Sequence, residues 1–158
     1  MNYPLISRLY NNFGIGLKPG VNDAAEFIKT EKINGPYFNN YDDGAYMIYH
    51  FFPDEKVFVD NRPEAYPPDF FAKTYIPMME NSDIWAEADR IYNFNAIICS
   101  YRDMTPWAQS FFIRIIDDKN WAPVFVDNYI LVLIRQNEKN APLIGKYKIN
   151  RRIFSTTK

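Results

Sequence analysis

Short apolar runs of strand length alternate along this chain with segments whose apolar residues recur at helical spacing, and this alternation most constrains the fold. The clearest helical period is Val21, Ala24, Ala25 and Ile28, spaced i, i+3, i+4 and i+7. Alternating strands and helices favour a mainly parallel sheet that is covered on both faces. The sequence therefore predicts an α/β fold with three layers and a mainly parallel sheet.

Five apolar runs are predicted as strands. They are Tyr37 to Asn39, Lys56 to Asp60, Asn95 to Ser100, Pro123 to Val126, and Tyr129 to Arg135. Asp127 and Asn128 separate the last two runs, and both residue types tolerate positive φ, so the pair suits a tight hairpin turn. We expect this C-terminal hairpin to add an antiparallel edge to the sheet.

Helices are predicted in the longer segments between the strands. A helix from Asp69 to Met79 is expected to break or distort near Pro77. Ser82 or Asp83 begins the next helix. Thr105-Pro106 is a strong start signal for another, because it combines a hydroxyl cap with proline at the first helical position.

Length and composition bound the organisation of the chain. Its 158 residues fit one domain, predicted over residues 21–136, with an irregular lead-in at 1–20 and a weakly structured tail at 137–158. Lys and Arg (18) nearly balance Asp and Glu (19), which gives no electrostatic footprint for nucleic acid or an anionic membrane surface. The 13 Phe, 12 Tyr and 3 Trp residues indicate a core rich in large rings, with an interaction surface or carbohydrate stacking as alternatives.

Few residues are available for cofactor or metal chemistry. Cys99 has no partner for an intramolecular disulfide, and His50 is the single histidine, so neither a zinc site nor a histidine-activated nucleophile is expected. No metal or cofactor is predicted. No run approaches the ~18 apolar residues of a membrane span. The start at Met1 does not resemble a signal peptide, so we expect a soluble polypeptide.

Two polar clusters follow the first two predicted strands, where open α/β sheets bind ligands. The candidate ligand-binding residues are Asn40, Asp42 and Asp43 in the first cluster, and Asp60, Arg62, Glu64 and Tyr66 in the second. Paired carboxylates can act as acid and base or hold a divalent cation. The favoured interpretation is structural: Asp42 or Asp43 caps the following helix, and Asp60 pairs with Arg62 or accepts backbone N–H bonds. Binding of sugar hydroxyls or of a neighbouring loop is the alternative.

Five motifs recur in one order along residues 20–135. They are Ala24-Ala25-Glu26-Phe27, the segment from Gly35 to Ile48, the segment from Pro53 through Asp60-Asn61-Arg62 to Tyr66, the run from Asn95 to Cys99, and the run from Trp121 to Arg135. This series of motifs resembles the C-terminal soluble extracytoplasmic domain of bacterial polytopic C-type glycosyltransferase-like membrane proteins. Asn61 departs from the glycine often found there.

The resemblance implies an accessory domain on the extracytoplasmic face of the membrane. It would contribute to binding of a sugar or acceptor, or it would stabilise the membrane portion of its parent. A carbohydrate or lipid-linked sugar is then a further partner. The catalytic carboxylate of that class lies in membrane loops, so this chain, as an excised domain or truncated product, would be inactive alone.

Two alternatives belong to other functional classes. One is a stand-alone protein-interaction domain that docks its partner on an aromatic surface. The other is a small hydrolase or transferase that uses Asp42, Asp43, Asp60 and Glu64.

Overall fold

The computed structural model describes residues 20–154. The helices are α1 (Asp23–Thr30), α2 (Gly44–Phe51), α3 (Ile76–Glu80), α4 (Ser82–Tyr92), α5 (Pro106–Asp117) and α6 (Ala141–Tyr147). The strands are β1 (Tyr37–Asn39), β2 (Ala96–Cys99), β3 (Trp121–Val126) and β4 (Leu131–Arg135). Short 3₁₀ turns lie at Tyr41–Asp43, Pro63–Ala65 and Arg151–Phe154, and a π-helical turn at Phe71–Tyr75 leads into α3. No helix in this part of the chain is long and apolar enough to cross a bilayer.

The four strands form one mixed sheet in the order β1-β2-β4-β3. β1 and β2 are parallel, whereas β4 is antiparallel to both β2 and β3. The α/β class is confirmed. The expected majority of parallel pairs is not, because the described strands make one parallel pair and two antiparallel pairs. The C-terminal hairpin is antiparallel as predicted, but its second strand, β4, lies inside the sheet and only β3 lies at the edge.

The predicted strand from Lys56 to Asp60 is wrong. This segment runs beside β1 without forming a strand ladder, and the side chain of Asn39 supplies the pairing groups instead. Asn39 Oδ1 accepts from the backbone N of Phe58 at 2.9 Å, and Nδ2 donates to the carbonyl of Val59 at 2.7 Å. Asn39 has no exposed surface. Its amide therefore fixes the segment at the end of β1.

Successive strand residues join two different core clusters, because side chains alternate between the faces of a sheet. Phe38 and Ile97 belong to one cluster, and their neighbours Tyr37 and Ile98 belong to the other. The Phe38 ring lies 5.0 Å, centroid to centroid, from the rings of both Trp85 and Phe111. Much of the aromatic content is thus packed in the core, as the composition predicted.

The sequence predicts a weakly structured tail after Gln136, whereas the described part of this segment contains α6 and a 3₁₀ turn. The backbone N of Ile149 donates to the carbonyl of Pro123 at 2.8 Å. The Arg151 guanidinium donates to the carbonyls of Asp118, at 2.9 Å, and Trp121. These bonds cover the outer edge of β3 and hold the segment to the sheet. The predicted lead-in lies outside the described residues except for Gly20.

Candidate ligand-binding site

The loops after β1 and β2 meet at one edge of the sheet, because the carboxyl ends of these parallel strands lie side by side. Asn40 joins the two loops. Its Oδ1 accepts from the backbone N of Ser100 at 3.2 Å, and its Nδ2 donates to Oδ2 of Asp103 at 3.2 Å. Asn40 has no exposed surface. This candidate therefore positions the loops rather than contacting a ligand itself.

Asp43 takes part in the same bridge. Its Oδ2 accepts from the backbone N of Ser100 at 2.5 Å. The Asp43 side chain does not cap α2 as the sequence suggested. Instead, Oδ1 of Asn61 accepts from the backbone N of Ala45 in the first turn, at 3.3 Å. A residue of the loop after Asp60 therefore provides the side-chain acceptor at the start of α2, where an aspartate was expected.

Gly44 lets the second polar loop approach the first. A Cβ atom at this position would overlap the carbonyl oxygen of Val59 and the Cα of Asp60. These are backbone atoms of a segment held by Asn39, so they cannot move aside cheaply. The two polar clusters predicted from sequence are therefore brought into contact at the start of α2.

Asp60 and Arg62 form a bidentate ion pair. Arg62 Nε donates to Oδ1 of Asp60 at 3.0 Å, and Nη2 donates to Oδ2 at 2.6 Å. The backbone N of Asp60 donates to the Tyr66 hydroxyl at 2.8 Å. The Arg62 hydrogen bonds hold the pKa of Asp60 below its ordinary value. These are the contacts expected if Asp60 has a structural role rather than a role in binding. Glu64, another candidate from the sequence, is exposed.

A cavity of about 310 Å³ opens at the carboxyl ends of β1 and β2. Four aromatic side chains and two carboxylates line it, namely Tyr41, Phe71, Tyr75, Trp107, Asp42 and Asp103. The second polar loop contributes Pro63 to its wall. Among the seven candidates from the sequence, Asp42 alone lines the cavity. Asn40 and Asp43 support its loops, while Asp60, Arg62 and Tyr66 are tied to one another.

Asp103 is the site residue that the sequence reasoning missed. Its Oδ1 accepts from the backbone N of Thr105 at 2.9 Å, which shapes the turn into α5. Its position just after the predicted strand from Asn95 to Ser100 could have indicated Asp103 as a site residue. That strand is the parallel neighbour of β1, so its following loop was as strong a candidate as the loop after β1.

The polar end of the site is anionic. Burial raises the pKa of Asp43 to about 7 against the lowering effect of the Ser100 amide, and the charges of Asp42 and Asp103 raise it further. Burial, followed by the Asp103 and Asp42 charges among others, also raises the pKa of Tyr75. The cavity therefore presents a negative potential beside its aromatic walls.

A larger groove of about 720 Å³ lies beside α5 and the hairpin. Its walls are mostly apolar, with Ile113, Ile116 and Ile153 among them, and of the described residues Asp117 alone brings a charge to it. Small-molecule sites combine apolar walls with a few convergent polar groups. The smaller cavity is the stronger candidate because two carboxylates, Asp42 and Asp103, line it beside four aromatic side chains.

Other reactive residues lie away from the cavity. Cys99 is buried in β2, and burial raises the pKa of its thiol. His50 packs against the rings of Tyr46 and Tyr49 at 4.6 and 4.9 Å. Within residues 20–154, no group of three or more His, Cys, Asp or Glu side chains is placed to hold a metal ion.

Comparisons of the chain with protein-family models, curated proteins and solved structures give no match. The geometry of the cavity is therefore the basis for assigning a function.

Proposed function

We propose that this chain is a carbohydrate-binding accessory domain whose ligand occupies the cavity at the carboxyl ends of β1 and β2. The observation that carries the proposal is the combination of four aromatic side chains with two carboxylates around one small cavity. Ring faces pack on the apolar face of a sugar, and carboxylates accept hydrogen bonds from its hydroxyls. The cavity offers both kinds of group to a pyranose ring.

The size of the cavity favours a single sugar ring. Its volume of about 310 Å³ lies at the lower end of the range for small-ligand sites, which is roughly 300–1,000 Å³. A chain of several sugars would extend beyond it. The proposed ligand is therefore one residue of a glycan or a monosaccharide head group.

Binding is favoured over hydrolysis or group transfer by the surroundings of Asp43. A carboxyl group with a pKa of about 7 has the value expected of a general acid or base. However, its Oδ2 holds the Ser100 amide, and Asp43 does not line the cavity. The role proposed for Asp43 is to position the loops, with any chemistry supplied by another part of the parent protein.

The parent is proposed to be a membrane glycosyltransferase-like protein with this domain on its extracytoplasmic face. The resemblance of residues 20–135 supports this proposal. The gene upstream of residue 1 should then encode several apolar segments of about 20 residues. Their absence would contradict the membrane parent while leaving the cavity as a binding site.

The proposal includes the three-layer arrangement. Residues of α1, α2 and α6 join one core cluster with one face of the sheet, and residues of α3, α4 and α5 join the other. Helices on both faces leave the strand ends free, which is where the cavity opens.

Titration of monosaccharides against the full chain, followed by NMR chemical shifts, tests the binding function. Trp107→Ala should weaken binding by about 5- to 30-fold, because it removes an aromatic side chain worth roughly 1–2 kcal/mol. Tyr49→Ala is the matched control, because Tyr49 is 75% exposed and lies outside the cavity. Circular dichroism checks that both variants fold. Equal binding by the wild type and a folded Trp107→Ala variant would refute the cavity as the sugar site.

A further inference from the structure

Among residues 20–154, two carboxylates line the cavity and no positively charged side chain does. Asp42 and Asp103 come from loops that Asn40 ties together, so both charges belong to one wall of the cavity. A third carboxyl group, Asp43, lies behind them and bonds to Ser100. A phosphate or carboxylate ligand would meet this wall at a cost, because like charges repel.

The basic residues on the neighbouring segments are engaged elsewhere. Arg62 is paired with Asp60, and Lys73 donates to Oδ2 of Asp69 at 2.6 Å. The Arg102 guanidinium lies 5.9 Å from the ring centroids of both Tyr101 and Tyr129. None of these cations lines the cavity. Within the described part of the chain, these cations leave the negative charge of the wall open to a cationic ligand.

The aromatic walls suit a cation as well as a sugar face. The rings of Tyr41 and Phe71 lie 5.5 Å apart at 82°, and those of Phe71 and Tyr75 lie 5.9 Å apart at 77°. Nearly perpendicular rings around one space present both faces and edges to it. Aromatic faces beside a carboxylate bind organic ammonium groups through cation–π attraction.

We propose that the ligand of this cavity is an amino sugar, with its protonated amine held by Asp42 and Asp103 and its ring packed on the aromatic walls. This inference rests on the proposed carbohydrate-binding function and adds the charge of the ligand to it. Neutral sugars fill the same space without balancing the carboxylates. The same charges disfavour acidic sugars and sugar phosphates.

Calorimetric titration of the full chain with four probes tests this inference at low ionic strength, at a pH where the amine is protonated. The probes are glucosamine, glucose, N-acetylglucosamine and glucuronate. We expect glucosamine to bind about tenfold more tightly than glucose or N-acetylglucosamine. Glucuronate should bind more weakly than any of the other three probes. The preference should shrink as salt is added.

Asp42→Asn is the informative variant, because Asp42 is exposed and its charge is removed with little change in shape. It should reduce the preference for glucosamine over glucose, because one of the two carboxylates proposed to hold the amine loses its charge. An unchanged ratio of the two affinities would contradict the inference. Asp54→Asn is the matched control, since Asp54 is exposed and lies outside the cavity. It should keep the preference of the wild type.

The outcomes separate the two proposals. Equal affinities for glucose and glucosamine in the wild type would overturn the amino-sugar inference and leave carbohydrate binding intact. Binding of none of the four sugars would overturn both. Choline as a fifth probe distinguishes a bare ammonium site, because choline binding as tight as glucosamine binding would overturn the assignment to a sugar.

Discussion

The side chain of Asn39 takes the place of a backbone pairing partner. Its amide bonds to the backbone of both Phe58 and Val59 and has no exposed surface. Asn39→Ala would leave the partly buried N–H of Phe58 and the buried carbonyl of Val59 without these partners, so we expect a loss of about 2–4 kcal/mol in the free energy of unfolding. Urea denaturation measures it. The exposed Asn120 provides the control, and Asn120→Ala should change stability by less than about 0.5 kcal/mol.

Asp43 gives the chain a pH dependence with a definite sign. Burial raises its pKa from 3.8 to about 7 in the folded state. Between these values the folded chain retains a proton that the unfolded chain releases, so the free energy of unfolding falls as pH rises. Relative to an Asp43→Asn variant, we expect the wild type to lose roughly 2–4 kcal/mol from pH 4 to pH 7.

Unfolding of both proteins in urea across this pH range measures the difference. The pKa of His50 is lowered by burial, which changes stability in the opposite direction, but this effect is common to both proteins and cancels. Parallel stability curves would show that Asp43 is ionised in the folded state throughout.

Single residues could be predicted from sequence where their partners are close along the chain. Asp60 and Arg62 are two positions apart, and their pairing followed from that spacing. Asn39 bonds to residues about 20 positions away, and Asn40 bonds to Asp103 at a separation of 63. Nothing in a local pattern distinguishes these buried amides from turn residues.

Asn81 decides where α4 begins. Its Oδ1 accepts from the backbone N of Asp83 at 2.8 Å and of Ile84 at 3.1 Å. The sequence placed this start at Ser82 or Asp83, within one or two residues. Asn81→Ala should cost about 1 kcal/mol in stability, and Asn81→Asp should cost much less because it retains an acceptor oxygen. Thermal denaturation of the two variants tests the cap, and equal losses would contradict it.

Most elements could be predicted because periodicity and capping are local. β1, β2 and the cap of α5 by Thr105 were found in this way. The predicted helix from Asp69 to Met79 is distorted, as Pro77 led us to expect: a π-helical turn, Phe71–Tyr75, runs directly into α3, and Pro77 lies in the first turn of α3. The segment from Lys56 to Asp60 has the composition of a strand. Its backbone groups bond to the distant side chain of Asn39 instead of to a strand, and composition does not predict this contact.

Arg135 connects the sheet to a helix and to the core. It forms an ion pair with Asp89 on α4, and its Nε donates to the carbonyl of Phe94 at 2.6 Å. The guanidinium also lies 4.6 Å from the Trp121 ring centroid. The pair is partly exposed, so we expect Arg135→Gln to lose about 2–3 kcal/mol, less than a fully buried pair would.

A double-mutant cycle with Asp89→Asn separates the ion pair from the other contacts. If the pair matters, the two losses should not add, because the first substitution already removes the partner of the second. Fully additive losses would assign the effect to the Phe94 bond and the Trp121 ring instead.

The order of strands in the whole molecule lay beyond the sequence. β2 and β4 are separated by about 30 residues, and their antiparallel pairing places the last strand inside the sheet. A hairpin at the C-terminus suggests an addition to the edge, but both strands of this hairpin are strongly apolar. Burial of β4 between β2 and β3 satisfies that composition better than an edge position.

The covered edge of β3 bears on how this domain behaves when many copies are crowded together. An open strand edge can recruit a strand from a neighbouring molecule and so begin aggregation. Here the carbonyls of Trp121 and Pro123 already accept from Arg151 and Ile149. A neighbour would first have to displace that segment. Growth by strand addition is therefore disfavoured at the Trp121 to Pro123 end of this edge, even at high density.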